Sequence, residues 1–373
     1  MPDIAPSAFG PDWLDAKWFG ASGDGRDDDT AAIQAALDHG YPVVYLPDRG
    51  NYVISSPLRI PSGVRLTGSH GSKQYGSGAT LRLSPSFSGN AALYLPPGTY
   101  EQRLDRFNID GGAAPAGSVH GVLLDSSTAN VSFAALEQLF ITGTGIKDGV
   151  NAVSGTSGLP LELHLTDVTV FGAGNNGFSL YSATDMFAVN CHAENCRSVG
   201  WNLSALANSQ LVNCRAALNN SVGFYLTGEW GTGTGSGGCV LSGCCTDRNA
   251  SHGVLIDATG NTPILFNGLM TRRDGSSSTS AGYAGLAVNG PTTPIVVNGF
   301  TCYPGVDDNG TGNASPQYGI NVIAAPTYLA VTNAFAHGIR AGVNGTIPSW
   351  RALATRTGPT SSPSAVTMVA DSA

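Results

Sequence analysis

A four-residue pattern of glycine, apolar, variable and apolar residues returns through most of the chain. Successive copies are separated by 28, 28, 23, 23, 30, 32 and 34 residues. Repeats of about 20 to 50 residues are typical of solenoids and propellers. The copies begin at Gly121, Gly149 (a partial copy), Gly177, Gly200, Gly223, Gly253, Gly285 and Gly319.

A second segment with period-two alternation precedes most of these copies. Residues 189–194 read VNCHAE and residues 212–217 read VNCRAA, and similar runs occupy 265–267 and 296–298. Alternation of this kind predicts half-buried strands. Short strands with no helical pattern between them cannot form βαβ units, but they can stack coil upon coil. Propeller blades need about 40 to 50 residues, which the shorter periods exclude. The repeat therefore predicts an all-β, right-handed parallel β-helix.

The N-terminal region carries a motif of its own. Residues 19–38 read FGASGDGRDDDTAAIQAALD, followed by VVYLP at 43–47 and PSGVRLTG at 61–68. This region resembles the opening of the pectate-lyase-like superfamily, which includes phage tailspikes, related glycanases and pectinase relatives. Beyond Gly68, only the coil rhythm continues the resemblance. It implies a right-handed parallel β-helix and points to a polysaccharide as the substrate.

The same motif predicts a short capping helix. Asp28 or Asp29 can cap a helix that starts near Thr30, and Ile33 and Leu37 would share one face. A helix over the first coil would cover an otherwise open sheet edge. We thus expect an N-terminal arm at 1–18, a β-helix domain at 19–354 with its helix near 30–39, and a polar tail at 355–373.

Composition narrows the class of partner. The formal net charge is -8, and the 18 lysines and arginines look scattered, so nucleic acid is not expected as a partner. No apolar run reaches the roughly 18 residues of a membrane-spanning helix, and residues 1–14 show no basic-then-apolar leader. We expect no membrane partner and an extracellular or virion-associated location.

Seven cysteines lie between Cys191 and Cys302, all in or beside strand-like runs. Their odd number and their positions do not suit a disulfide framework, and paired C-x-x-C knuckles for zinc are missing. The pattern predicts a stack of buried thiols. We expect no metal and no cofactor.

Positions at one offset from the repeating glycine should lie above one another in a β-helix. Six residues before the glycine, the column is Phe171, Glu194, Ala217 and Asp247; eight residues before it, the column is Thr169, His192, Arg215 and Cys245. Two coils, at about 4.8 Å each, would place Glu194 and Asp247 roughly 10 Å apart. That separation suits the two carboxyl groups of an inverting glycosidase.

We hypothesise that Glu194 and Asp247 are catalytic, one protonating the leaving oxygen while the other activates water. His192 and Arg215 would orient the sugar. The alternative is that all four are ordinary solvated side chains.

Three further residues are candidate substrate contacts. Arg272 and Arg273 follow the next coil and would extend the patch, or else form an ion pair where a loop begins. Trp230 lies in a glycine-rich stretch, 227–238, that we interpret as a loop. Its indole would either stack on a sugar or cover the coil.

These observations favour a carbohydrate-active enzyme, either a glycoside hydrolase or a transglycosylase. A phage or phage-like tailspike, adhesive or depolymerising, is the alternative, and lyase chemistry through Arg215 is a weaker one. The resemblance also implies a homotrimer, whose active site can lie between subunits. A structural coil without catalysis is the remaining possibility.

Overall fold

The computed structural model describes residues 13–47, 50–69, 78–230 and 238–347, and it describes 349–357 as a backbone strand. Most of the predicted N-terminal arm (1–12), part of the predicted loop (231–237) and the predicted tail from 358 onward lie outside the described residues.

The chain winds into a right-handed parallel β-helix, which confirms the predicted fold. Each coil contributes a strand to three ladders in turn, called here ladders A, B and C. Strands in each ladder pair in parallel with those of the coils before and after. A separate two-stranded pairing joins Val131–Ser132 to Pro160–Leu161.

Ladder A consists of Leu14–Asp15, Val43–Leu46, Arg65–Gly68, Arg103–Asp105, Ala135–Glu137, His164–Thr166, Phe187–Val189, Ser209–Val212, Cys239–Ser242, Ile264–Asn267, Ile295–Asn298, Leu329–Gly338 and Ser349–Thr357. Ladder B consists of Asp24–Asp28, Asn51–Ile54, Thr80–Leu83, Asn108–Asp110, Phe140–Thr142, Thr169–Phe171, His192–Glu194, Arg215–Ala217, Cys245–Asp247, Met270–Arg272 and Thr301–Tyr303. Ladder C consists of Leu58–Arg59, Ala91–Leu95, His120–Ser126, Val150–Ser154, Phe178–Tyr181, Trp201–Ser204, Phe224–Trp230, Val254–Gly260, Ala284–Asn289, Tyr318–Ala324 and Ala341–Asn344.

The strand register confirms both predicted columns. In ladder B, Phe171 pairs with Glu194, Glu194 with Ala217, and Ala217 with Asp247. His192 likewise pairs with Arg215. The glycine tetrads align in ladder C, and Val150 fills its expected place in the same column.

The repeating glycines mark the closest approach between coils. A Cβ atom built on Gly177 would lie 2.7 Å from the carbonyl oxygen of Gly200, and one on Gly200 would lie 2.7 Å from that of Gly223. On Gly223 the distance to the oxygen of Gly253 would be 2.5 Å. Contacts this short leave no room for a side chain, so the tetrad begins with glycine for steric reasons.

The apolar positions of the tetrads fill the interior of the coil. Phe178 and Trp201 stack with ring centroids 3.8 Å apart and an interplanar angle of 9°, and Phe224 follows 5.8 Å beyond Trp201. All three side chains are fully buried. Stacked rings add to the free energy of burial, so the ladder C side of the core is held by aromatic contacts between successive coils.

A ladder of buried amides runs through the turns between ladders B and C. Asn219 Oδ1 accepts a hydrogen bond from the backbone N–H of Cys196, and Asn249 Oδ1 accepts one from that of Asn219. One coil further on, Asp274 takes the equivalent place and accepts from the N–H of Asn249. Thr246 Oγ1 also donates to Asp274, at 2.5 Å. Burial raises the pKa of the Asp274 carboxyl to about 7.

The substitution Asp274→Asn should stabilise the protein at alkaline pH. The native carboxyl keeps its proton up to about pH 7, whereas the unfolded one loses it near 3.8, so native stability falls as the pH rises through this window. An amide does not ionise, so the variant does not lose native stability as the pH rises, and its NH₂ group can donate to Thr246. We expect a gain on the order of 2 kcal/mol at about pH 8 and almost none at about pH 4. Thermal unfolding at both pH values measures it.

The exposed Glu229 supplies the control, since Glu229→Gln should leave the pH dependence unchanged. An Asp274→Asn protein that unfolds at the same temperature as the parent at about pH 8 contradicts the expectation.

All seven cysteines are free thiols, as predicted, and all are buried except Cys245, which is half-buried. Burial raises the pKa of Cys196, Cys239 and Cys302 to about 12. The thiolate is the reactive form, so these thiols are held in an unreactive state.

Ellman's reagent should therefore label at most one thiol in the native protein, Cys245, and all seven after denaturation. The variant Cys245→Ser should abolish the native labelling. Rapid modification of two or more thiols before unfolding would argue against this core.

The capping helix spans Thr30–Leu37, two residues shorter than the predicted 30–39. Asp28 Oδ1 accepts from the backbone N–H of Thr30. Asp29 instead turns its carboxylate back to the N–H groups of Ser22 and Gly23. Asp28 thus hydrogen-bonds the first residue of the helix, and Asp29 anchors the preceding turn.

The structure differs from the sequence-based expectation at three boundaries. Leu14–Asp15 pairs with the next coil, so this part of the expected arm belongs to the β-helix. Ser349–Thr357 runs past the expected end at 354. The first four residues of the expected loop at 227–238 belong to the strand Phe224–Trp230. Among the described residues, no helix has the length and apolarity to cross a bilayer.

Candidate active site

The outward face of ladder B carries an aspartate surrounded by arginines. Asp247 ends the strand Cys245–Asp247, and its side chain is only 4% exposed. Its carboxylate accepts from Arg272 Nη2 at 2.7 Å and from Arg273 at 3.0 Å (Nε) and 2.9 Å (Nη2). Two more guanidinium groups, of Arg215 and Arg248, lie at 3.6 and 3.7 Å. We call Asp247 with these four arginines the Asp247 cluster.

Local backbone geometry builds this cluster. Arg248 and Arg273 both adopt left-handed conformations, each with φ of 55°, directly after a ladder B strand. The left-handed region is unfavourable for a residue with a long side chain. Here it turns both guanidinium groups back toward Asp247.

The electrostatics of the cluster are those of a buried anion with several cations. Hydrogen bonding to Asp247 raises the pKa of Arg273 above its usual range. Asp308, which reaches in from the 304–317 turn, accepts from Arg273, and this contact lowers the pKa of its carboxyl. Together with Asp307 near Arg248, these residues make four positive and three negative charges. The cluster together with Asp307 and Asp308 therefore carries one net positive charge in a chain of net charge -8.

Glu194 lies on the same face, two coils from Asp247 in register. Its side chain is half-buried, and its carboxylate has no hydrogen-bond or ion-pair partner among the described residues. His192 is half-buried one coil before Arg215. The face thus combines one unpaired carboxylate with two partly exposed guanidinium groups, of Arg215 (38%) and Arg272 (45%).

Two sequence-based expectations need correction. Asp247 occupies the predicted column, but it is buried and paired rather than open to solvent beside Glu194, because arginines from three coils converge on it. Trp230 is fully buried, and its Nε1 donates to the carbonyl oxygen of Thr227 at 2.6 Å. An indole in that position covers the coil and has no free face for a sugar.

The expectation that basic residues are scattered is also wrong in three dimensions, since folding gathers four arginines around Asp247. Arg248, Asp307 and Asp308 were not among the predicted site residues. The sequence signal for Arg248 is the dipeptide Asp247-Arg248, which places an arginine in the turn directly after the aspartate.

Aromatic side chains stand at both ends of the Glu194 column. Phe171 precedes Glu194 and is half-buried, and Tyr303 follows Arg272 and is 47% exposed. The column from Phe171 to Tyr303 crosses five coil intervals, about 24 Å at about 4.8 Å per coil. Its length and its mixture of aromatic, acidic and basic groups suit an extended, polar ligand. Within the described ranges, no group of three or more acidic, histidine or cysteine side chains is arranged to hold a metal ion.

Comparison with known proteins assigns the family. A family model described as rhamnogalacturonase A/epimerase, pectate lyase-like, matches residues 13–224, more than half of the chain. The chain belongs to this family. The match confirms the pectate-lyase-like resemblance of the N-terminal motif and extends it through the strands that carry Glu194 and Arg215.

Several relatives of this pectate-lyase-like chain are phage proteins. The pre-neck appendage protein of Bacillus phage B103 is 26% identical over 271 residues, covering 68% of this chain and 28% of the phage protein. A depolymerase of Klebsiella phage K5-2, specific for capsule K30/K69, is 26% identical over 341 residues, covering 83% of this chain and 39% of the depolymerase. The chain thus spans well under half the length of these curated relatives.

A solved structure agrees with the fold. The enzymatically active domain of tailspike protein 2 from bacteriophage CBA120 superposes with a TM-score of 0.66 at 17% identity, covering 89% of this chain and 48% of that one. At this identity the likeness shows the β-helix fold alone.

Asp247→Asn should destabilise the protein. The amide loses its charge, and Arg273, only 10% exposed, is left with fewer compensating contacts. We expect a loss of about 2–3 kcal/mol in the free energy of unfolding. Denaturant unfolding of the parent and the variant measures it.

Glu194→Gln provides the comparison on the same face, because Glu194 has no partner to lose. It should change the stability by no more than about 0.5 kcal/mol. Equal stabilities of the two variants would show that Asp247 does not anchor the cluster.

Proposed function

We propose that this protein binds an anionic polysaccharide along the outward face of ladder B and acts on it there. One observation carries the proposal: the Asp247 cluster presents Arg215 and Arg272 to solvent on the same outward face as the unpaired carboxylate of Glu194. The names of the relatives, a capsule-specific depolymerase and a tailspike, support a polysaccharide as ligand.

The arginines favour an acidic sugar over a neutral one. Guanidinium groups bind carboxylates in a planar, two-pronged geometry, and a fixed orientation reduces the entropy lost on binding. Asp247 fixes the orientation of Arg272 through a 2.7 Å contact while 45% of that arginine's side chain remains exposed. A uronate carboxylate is the sugar group that fits such a receptor.

Phe171 and Tyr303 would hold the ends of the bound segment. An aromatic ring offers a flat apolar face, and the apolar face of a pyranose ring can stack on it. Their positions outside Glu194 and Arg272 place the charged groups at the centre of the segment.

The type of reaction depends on which carboxylate can take up a proton from the substrate. Hydrolysis by two carboxyl groups would need Asp247 as the partner of Glu194, and Asp247 is occupied by arginines. Removal of the proton beside a uronate carboxylate needs one base and a neutralised carboxylate, which Glu194 with Arg215 and Arg272 would supply. The neighbouring glycosidic oxygen would then leave with the electron pair of its C–O bond and take a proton from Glu194 or water, which gives an unsaturated uronate. Protonation of the same carbanion by water from the other side would instead give the epimer. We therefore favour elimination or epimerisation over hydrolysis.

A virion-associated homotrimer is part of the proposal. The phage appendage and tailspike names among the relatives support it. A mass of three chains in light scattering after size-exclusion chromatography would support the trimer. A mass of one chain at the concentration used for the activity assays would contradict it.

The activity can be tested with polymers of galacturonate, glucuronate and mannuronate beside neutral glucans. We expect at least one uronate polymer to react and the neutral ones to remain intact. Unsaturated-uronate absorbance identifies elimination, solvent deuterium incorporated without cleavage identifies epimerisation, and reducing ends without the absorbance identify hydrolysis. Activity on neutral polymers alone would contradict the proposed substrate class.

The roles of the residues can be separated by kinetics. Glu194→Gln should lower kcat by about 100-fold or more, because a proton-transfer group is lost. Arg272→Ala should mainly raise KM, and Arg272→Lys should recover part of the loss. Glu229→Gln, an acid on ladder C, is the matched control and should retain parental kinetics. Full activity of Glu194→Gln would remove Glu194 from the mechanism.

A further inference from the structure

A second cluster of an aspartate with arginines lies near the N-terminal end, on the outward face of ladder A. The Asp105 side chain is 2% exposed, and its carboxylate pairs with Arg65 at 2.7 Å, Arg103 at 3.2 Å and Arg106 at 3.4 Å. Thr67 Oγ1 donates to the same carboxylate. As with Asp247, the buried aspartate holds guanidinium groups whose own side chains are 34–45% exposed.

Arg65, Thr67 and Arg106 of this surface line a groove. The groove has a volume of about 420 Å³ and is lined by Trp13, Val43, Tyr45, Arg65, Thr67 and Arg106. A second depression of about 190 Å³ shares Arg65 and Arg106 with it and is also lined by Arg103, Glu137 and Asp167.

Aromatic side chains form part of the groove lining. Trp13 is 39% exposed and packs edge-on against Tyr45, with ring centroids 5.7 Å apart. Trp18 stacks on Trp13 at 5.5 Å and fixes the plane of its indole. The groove therefore combines a flat apolar surface with guanidinium groups that are already oriented.

The backbone shows how Arg106 is positioned. Arg106 has φ of 59°, and its Nη2 donates to Thr67 Oγ1 at 3.1 Å. A Cβ on Gly68 would lie 2.3 Å from the carbonyl oxygen of Arg106, so only glycine at 68 permits this turn. The geometry of Arg106 is set by the fold and does not need a ligand.

We propose that this groove is a second glycan site, which binds an acidic saccharide unit by stacking on Trp13 and by ion pairing with Arg106 and Arg65. A sugar ring needs the apolar surface, and its carboxylate needs the fork of a guanidinium. The groove is separate from the Asp247 cluster. In ladder A, the register places Asp105 five coil intervals from Ser242, or about 24 Å along the axis. Ser242 ends the ladder A strand that comes before the ladder B strand of Asp247.

The site takes the ligand class of the proposed function but does not depend on that function. Its test is binding rather than turnover. Tri- and tetrasaccharides of galacturonate and glucuronate are titrated by calorimetry, beside neutral glucose oligomers of the same length. The protein is the full chain carrying Arg272→Ala, which weakens the face of ladder B.

In this background we expect acidic oligomers to bind and neutral ones to bind at least about tenfold more weakly. Adding Trp13→Ala or Arg106→Ala should each lower the affinity by about tenfold or more. Tyr328→Ala removes an exposed aromatic ring elsewhere on the helix and should have no effect. Thermal unfolding checks that each variant is folded.

Several outcomes would overturn the proposal. If the Arg272→Ala protein binds no acidic oligomer, the Asp247 cluster is responsible for all of the binding. If neutral and acidic oligomers bind equally well, the arginines of the groove do not recognise the ligand. An affinity that falls as the protein concentration rises would show that a second copy of the chain covers the groove, and binding seen only after residues 1–11 are deleted would show that they compete for it. If the groove binds while no polymer is processed, the further site stands and the proposed enzyme activity fails.

Discussion

The spacing between coils, on which every other contact depends, is set by the hydrogen bonds between parallel strands, and in ladder C it requires a column of glycines. At Gly177, Gly200 and Gly223 the backbone of one coil approaches the carbonyl of the next too closely for any side chain. This approach permits the aromatic stack of Phe178 and Trp201, whose rings lie only 3.8 Å apart. The same spacing keeps residues of ladder B in vertical columns. A larger residue in the glycine column would push two coils apart and disturb the core and the outward face together.

The fold and its columns could be predicted from the sequence because they depend on spacing alone. Counting from the glycines placed Glu194, Ala217 and Asp247 above one another, and the strand register agrees. Burial could not be predicted in the same way. Alternation gives the direction of the Asp247 side chain, but not that Arg272 and Arg273, from the next coil, enclose it. Trp230 was misplaced because its strand extends into a stretch with the composition of a loop.

The two aspartate–arginine clusters share one construction. In each, an aspartate ends a strand, and the next residue is an arginine in the left-handed region: Asp105-Arg106 in ladder A and Asp247-Arg248 in ladder B. Further arginines come from neighbouring coils, where register places them beside the aspartate. The buried carboxylate balances part of the positive charge, and the remaining guanidinium surface faces solvent. A chain of net charge -8 thereby exposes guanidinium groups at two places on the β-helix.

The Asp247 cluster draws its members from three consecutive coils, those of Arg215, Asp247 and Arg272, and Asp308 of a fourth coil contacts Arg273. None of these coils contains the receptor by itself, so the receptor exists only while the coils remain stacked. A ligand that binds the assembled cluster but not an opened one must favour the stacked state by mass action. Such a ligand would act as a clamp along the solenoid axis, and local unwinding from the C-terminal end would become less frequent in its presence.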